Sequence, residues 1–197
     1  MIDSAPGAIS DAGRWYACYT RAHHERRVGE RLAEQGFDAF VPTIRQVRQW
    51  HDRRKVVEFP LFPSYLFARC TRAELGRATA TPGLVHIVKF DGRPVPVADE
   101  EIENVRRLSS VMPPTEKEVD LGPIITNGQH VEIVSGPLSR VRGVVAEARG
   151  KRRIVVVGIL AIRQGLRVEV DRAAVRPLDP DAIGGGGSRR GLLIAPR

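Results

Sequence analysis

Between Arg14 and Thr20 the chain reads RWYACYT, with Trp15, Ala17 and Tyr19 at alternate positions, the two-residue period of a strand. From about Ala22 to Gln35 the period lengthens: Val28, Gly29, Leu32 and Ala33 share one face of a predicted helix, and Gly36 stands where a left-handed C-terminal cap is wanted. FDAFVP and VVEFPLFPSYLFARC read as strands joined through the basic stretch RQWHDRRK. Thr71 and Glu74 have capping-box spacing ahead of a short helix through Leu75 and Ala78, which Pro82-Gly83 ends. LVHIVKF resumes as a strand, and Asp99 is placed to cap a third helix whose stripe is Ile102, Val105 and Leu108.

Beyond Leu108 the pattern breaks. In SSVMPPTEKEVDLG the Met112-Pro113-Pro114 sequence cannot continue a helix and the charges that follow have nothing to bury, so this stretch predicts a linker. VEIV, RGVVAEA, RRIVVVGIL and LRVEV then follow as β-branched segments separated by Gly136-Pro137, Gly150 and Gly165, the pattern of a five-stranded SH3-like barrel. The predicted organisation is a disordered start (1–13), an α/β sandwich (14–108), a linker (109–122), a barrel (123–178) and a Gly-rich tail (179–197). The tail has little to offset its ordering entropy and is expected to be disordered. The fold class is α+β.

Charge adds a class of partner. The formal net charge is +8, with 17 basic against 12 acidic side chains in 14–108 and 10 against 4 in 123–178, while 109–122 carries one Lys against three acids. Two basic folded blocks fit a polyanionic partner, through local concentration and counterion release. Cys18 and Cys70, the sole cysteines, suggest neither a disulfide scaffold nor a zinc site and fit a reducing cytoplasm, where the chain is expected to reside. No apolar run reaches the ~18 residues of a membrane span, and MIDSAPGAISDAGR lacks the features of a secretory signal.

The most specific local feature is Val131-x-Ile133-x-x-Gly136-Pro137-Leu138 followed by Arg142-Gly143-Val144-Val145, which resembles a KOW motif. Gly136 and Gly143 would supply conformations costly for a residue with a Cβ, and Pro137 would fix the turn. KOW barrels occur in ribosomal proteins and in NusG-type factors, so the first block has to choose. Arg14-Trp15-Tyr16, Glu25-Arg26-Arg27-Val28, Phe40-Val41-Pro42, Pro60-Leu61-Phe62-Pro63-Ser64-Tyr65-Leu66-Phe67 and Pro82-Gly83 resemble the N-terminal domain of the NusG family in order and spacing. The runs PLFPSYLF and RQWHDRRKVVEFPLFP look closer to its specialised branch, RfaH-like and UpxY-like antiterminators, than to housekeeping NusG.

The resemblance implies a NusG-type α/β sandwich followed by a KOW barrel, and a transcription elongation or antitermination factor that suppresses pausing or termination without a cofactor. It implies a hydrophobic cavity for the clamp helices of RNA polymerase, with Trp15, Tyr16, Phe62, Tyr65 and Phe67 as its residues; the lesser alternative is that Tyr65 and Phe67, two apart on one face of a strand, are ordinary core. The matching surface around Arg21, His24 and Arg27 would touch the non-template DNA strand, although Glu25 and Glu30 leave open a solvated, internally paired helix face. Arg53, Arg54 and Lys55, beside Arg48 and Trp50, form either a contact for DNA or nascent RNA or a soluble hairpin tip. On the barrel, Ile159, Leu160 and Ile162 match the loop through which NusG relatives engage a ribosomal small-subunit protein or Rho; the absence of an aromatic at Ile162 puts Rho in question.

Two departures from RfaH stand out. Its threonine-rich polymerase contact aligns with Leu75-Gly76-Arg77-Ala78, and the acidic residue holding its closed form aligns with Phe59. Ile154 to Val157, four β-branched residues in a row, also favour a strand over a helical second block. Enzyme classes find no support: His23-His24-Glu25 is not a metal-binding HExxH, no Gly-rich loop has nucleotide-binding spacing, and Cys18 has no helix N-terminus to activate it. The rival from another class is a ribosome-associated KOW protein binding structured RNA.

Overall fold

The computed structural model describes residues 13–50, 52–115, 119–124 and 128–178; of the expected disordered ends, 1–13 and 179–197, all but Gly13 lie outside the described residues. The first block runs β1 (Arg14–Thr20), α1 (Glu25–Glu34), β2 (Asp38–Phe40), β3 (Thr43–Gln49), β4 (Arg54–Pro60), β5 (Tyr65–Cys70), α2 (Leu75–Thr79), β6 (Leu84–Ile87), β7 (Lys89–Phe90), β8 (Arg93–Pro94), β9 (Pro96–Val97) and α3 (Asp99–Val111). β1 is the centre of its main sheet, ordered β2-β5-β1-β6 with β9 also on β1, all antiparallel.

The alternation of β1 divides two cores. Tyr16 and Cys18, with Leu66, Ala68 and Cys70 of β5, pack against Val28 and Leu32 of α1. Trp15 and Ala17, with Phe67, face Ile102, Val105 and Leu108 of α3, all three fully buried. The α3 stripe thus covers the second face of the sheet, each such side chain contributing roughly 1.5–3 kcal/mol by burial. α1 ends as its sequence suggests: Gly36 takes φ +86°, and the N–H groups of Gly36 and Phe37 reach back to the carbonyls of Ala33 and Leu32.

Several elements depart from the sequence pattern. VVEFPLFPSYLFARC is not one strand; it breaks after Pro60, turns through Ser64 at φ +66°, and restarts at Tyr65. TIRQVRQ, too polar to stand out, is β3, because β4 pairs along its whole length and the linker residue Thr115 hydrogen-bonds to Val47 and Arg45 on its other edge. α3 begins with Ala98, not Asp99, as its cap residue, and continues to Val111, past the expected end of the first block. Glu101 receives the Ala98 N–H at 3.2 Å, the reciprocal half of a capping box. The Thr71–Glu74 pair does form, the Thr71 N–H and hydroxyl donating to Glu74 Oε2 at 3.0 and 2.8 Å.

The second block comprises β10 (Leu121–Pro123), β11 (His130–Ile133), β12 (Arg142–Arg149), β13 (Arg152–Ile159), the short 3-10 turn η1 (Leu160–Ile162), β14 (Gln164–Asp171), a further turn η2 (Arg172–Ala174) and β15 (Val175–Pro177). Its described sheet has six antiparallel strands in the order β10-β14-β13-β12-β11-β15, where five were expected; β10 comes from the end of the predicted linker and β15 closes onto β11. Gly136 has the positive φ (+80°) expected of it. Gly143 does not: it is required because a Cβ there would sit 2.6 Å from the Val156 carbonyl oxygen. Among the described residues no helix is long and apolar enough to cross a membrane.

The blocks meet. Asn104 Oδ1 accepts the Arg142 N–H at 2.9 Å, Glu100 pairs with Arg142 at 2.7 Å, and Glu101 Oε1 accepts the Leu160 N–H at 2.8 Å. Apolar residues of both blocks, from Trp15 and Ile102 to Ile159 and Ile162, form one continuous cluster.

Candidate functional site

The expected clamp-binding set separates on the sheet. Trp15 and Tyr16 are neighbours on one strand and therefore face opposite ways, Trp15 toward α3 and Tyr16 into the α1 core, so Tyr16 cannot share a cavity with the others. Phe62 and Phe67 are both 0% exposed and meet edge to face with centroids 6.2 Å apart. Phe40 packs on Phe67 at 6.3 Å, and the Arg106 guanidinium of α3 lies 4.5 Å over the Phe40 ring. Trp15, Phe62 and Phe67 are core beneath α3.

Tyr65 differs because it lies at the other end of the strand. The register places Tyr65 opposite Tyr19, and Tyr19 opposite His86 of β6. Tyr19 and Tyr65 are half-buried, His86 is exposed, and the three rings form a row, Tyr65 edge-on to Tyr19 at 5.2 Å and His86 stacked on Tyr19 at 5.1 Å. Burial, then the neighbouring Tyr19, raises the Tyr65 phenol above its ordinary pKa, so the hydroxyl stays a neutral donor. Sequence reasoning missed Tyr19 and His86; the alternation of Tyr19 with Trp15 and Ala17 carried a signal, whereas the pairing of β6 on β1 that delivers His86 did not.

The turn before Tyr65 is set by a residue expected elsewhere. Glu25 does not belong to a solvated, internally paired helix face: it is 3% exposed and accepts the Ser64 N–H at 2.6 Å. It ties the start of α1 to the Leu61–Ser64 turn, while Arg26 pairs with Glu30 at 3.4 Å. Arg21 and Arg27 are exposed on either side of the helix start, and His24 sits between them, its N–H donating to the Arg21 carbonyl. His24 is half-buried, and its Nδ1 is enclosed without a hydrogen-bond partner.

Arg53, Arg54 and Lys55 are exposed at the β3–β4 hairpin end, and Trp50 is 58% exposed. They do not share one face: Lys55 pairs across with Arg48 and Arg54 with Gln49, so Arg54 and Lys55 point to opposite sides. Arg48 lies 5.1 Å over Phe59, on the Lys55 side.

In the barrel loop, Ile159 and Ile162 are buried, and only Leu160, at 53%, is exposed. The reason is the contact between blocks, where η1 meets β9 and its first N–H is held by Glu101. An exposed three-residue partner surface is therefore not what this arrangement presents. Glu101 has a raised pKa, chiefly from burial, opposed by the Leu160 and Ala98 N–H groups and reinforced by Glu100. Burial pushes the Cys18 and Cys70 thiols up to about 12 and about 11. Among the described residues no cluster of His, Cys, Asp and Glu could hold a metal ion.

Residues 13–106 match the family model described as transcription termination factor nusG. The transcription termination/antitermination protein NusG of Thermus thermophilus is 27% identical over 180 residues, covering 82% of this chain and 96% of that protein. Its namesake in Borreliella burgdorferi is 21% identical over 174 residues, covering 80% and 94%. The solved Thermotoga maritima NusG, described for its domain interaction, is 24% identical, spans 84% of this chain and 97% of that one, and superposes with a TM-score of 0.45. The family model matches the first block as far as Arg106 in α3, and the curated relatives align across both blocks; the first block is a NusG-family domain, and the chain over both blocks is similar to NusG transcription termination and antitermination proteins.

Proposed function

We propose that this chain is an elongation and antitermination factor of the specialised, RfaH-like branch, acting in the cytoplasm. Its first block grips the clamp helices of RNA polymerase, holding the clamp closed over the nucleic acids and so suppressing pausing or termination. The observation that carries this is the row Tyr65–Tyr19–His86, left uncovered at the end of a sheet that α3 otherwise buries. Aromatic rings with few rotamers, backed by a rigid core, suit a helical hairpin because they give contact area at little entropic cost. Trp15, Phe62 and Phe67 belong to the buried core against which Tyr65 packs. Arg21, His24 and Arg27 then lie toward the non-template strand, and the β3–β4 hairpin, with Trp50 free to stack, toward DNA or emerging RNA.

In this reading the barrel recruits a second partner, a ribosomal small-subunit protein or Rho, through the η1 loop. Ile159 and Ile162 become available only when the blocks part, whereas the aromatic row needs no such opening. The barrel meets α3 and β9, and β9 pairs with β1 at Trp15 and Tyr16, the end remote from Tyr19. The test is co-elution of the full chain with purified core polymerase, run beside purified ribosomal subunits. Polymerase binding is the expected result; binding to ribosomal subunits alone would replace the proposal with the RNA-binding alternative.

A further inference from the structure

The acids of the barrel are all engaged. Glu132 pairs with Arg176 at 3.4 Å and Arg142 at 3.8 Å, Glu147 with Arg149 at 2.8 Å and Arg167 at 3.7 Å, and Glu169 with Arg152 at 2.8 Å. Asp171 is occupied by the Ala173 N–H at 2.8 Å. Among the described residues this leaves Arg140, Lys151, Arg153, Arg163 and Arg172 with no carboxylate at ion-pair distance. Three of these five are gathered at one place. The Arg172 N–H donates to the Lys151 carbonyl at 2.7 Å, and the Arg153 guanidinium folds back onto the carbonyls of Gly150 and Arg152 at 3.1 and 2.9 Å. Lys151 and Arg172 are exposed, and Arg149 and Arg152 stand beside them.

This basic end is the β12–β13 turn. The opposite end of β13 leads into η1 and the first block, so eight residues of strand, roughly 25 Å at the usual rise, separate the two. Block contact therefore leaves the basic end free. Its chemistry is also restricted: residues 123–178 contain no Phe, Tyr or Trp, so this surface offers unpaired bases none of the large aromatic rings on which single strands stack. Cations without stacking platforms recognise the sugar-phosphate backbone, and a duplex offers the denser array, about one charge per 1.7 Å of axis.

We infer that the β12–β13 end of the barrel, through Lys151, Arg153 and Arg172, is a second nucleic-acid surface that binds the backbone of duplex DNA without regard to sequence. It is independent of the aromatic row and of the first-block cations. A factor engaged through its first block would thereby hold a duplex at a second point, on the other block.

The test uses the full chain and a fluorescent 20-base-pair duplex of arbitrary sequence, with anisotropy followed over a salt series and no polymerase present. Binding here is thus judged separately from polymerase binding. Lys151→Gln with Arg153→Gln and Arg172→Gln should lower the salt slope by about 2.7, at roughly 0.9 per phosphate contact. Between 50 and 200 mM salt the unaltered chain should then lose roughly 40-fold more affinity than the variant. If the Arg153 change loosens the turn, as a thermal melt would reveal, Lys151→Gln with Arg172→Gln should still lower the slope by about 1.8. A matched control, Arg72→Gln with Lys89→Gln and Arg93→Gln, should leave the slope nearly unchanged. An equal fall in the control would make the effect one of net charge and overturn the assignment. So would an unchanged slope in the barrel variants, or a single strand of the same length competing better than the duplex.

Discussion

Phe67→Ala and Tyr65→Ala should behave as opposites, although the two residues share a strand and a face. Phe67 is fully buried between Phe62, Phe40 and the α3 stripe, so truncation removes a ring from a core that cannot collapse to fill the space. The expected cost is about 3–5 kcal/mol, a large part of the ~5–15 kcal/mol that holds a typical domain folded. For a chain of this size that corresponds to a fall in melting temperature on the order of 10 °C. Tyr65 is half-buried and its main ring partner is Tyr19 at 5.2 Å, so its loss should cost only about 1–2 kcal/mol and leave the fold intact. Circular dichroism melts of the two single variants beside the parent provide the assay. Equal, small shifts would refute the separation into core and surface and would return Phe67 to the binding surface.

Other consequences follow from the same geometry. Docking of the blocks should depend on pH through Glu101: its raised pKa means the docked form holds the proton more tightly, so docking is favoured as pH falls toward the ordinary value of 4.5 and weakens as pH rises past the raised one. Fluorescence transfer between the blocks measures this, Glu101→Gln should flatten the profile, and docking that tightens with rising pH would contradict it. Asn104→Ala leaves the Arg142 N–H without its acceptor, at a cost of roughly 1–3 kcal/mol, and should speed hydrogen exchange around Ile159–Ile162; unchanged exchange there would disprove a docked loop. Cys18 and Cys70, with pKa values near 12 and 11, should resist a thiol reagent at pH 8 until denaturant is added, with thiolate fractions on the order of one in ten thousand and one in a thousand. Fast labelling of the native chain would contradict their burial.

Much of the first block was legible in the sequence because its signals are local. The alternation of RWYACYT, the α1 stripe ended by Gly36, the Thr71–Glu74 pair and the Ile102–Val105–Leu108 stripe each depend on residues a few positions apart. Decisions between distant segments were not legible. β1 is apolar on both faces, and nothing in it says that α3 covers Trp15 and Phe67 while leaving Tyr65 open. Glu25 looks like a surface acid in a charged helix; its burial is decided by Ser64, 39 positions away. Gly143 was read as a conformational glycine, when it is the approach of β13 that forbids a Cβ. Ile159 and Ile162 look like an exposed apolar loop until α3 and β9 cover them, a contact that no spacing within the barrel announces.

The central claim, that the open aromatic row is the polymerase-binding surface, is tested most directly by the affinity of full-length Tyr65→Ala for core RNA polymerase. An aromatic hot spot is worth ~2 kcal/mol or more, so the account predicts a loss of affinity of roughly 30-fold with the melt largely preserved. Parental affinity in a folded Tyr65→Ala chain would contradict it.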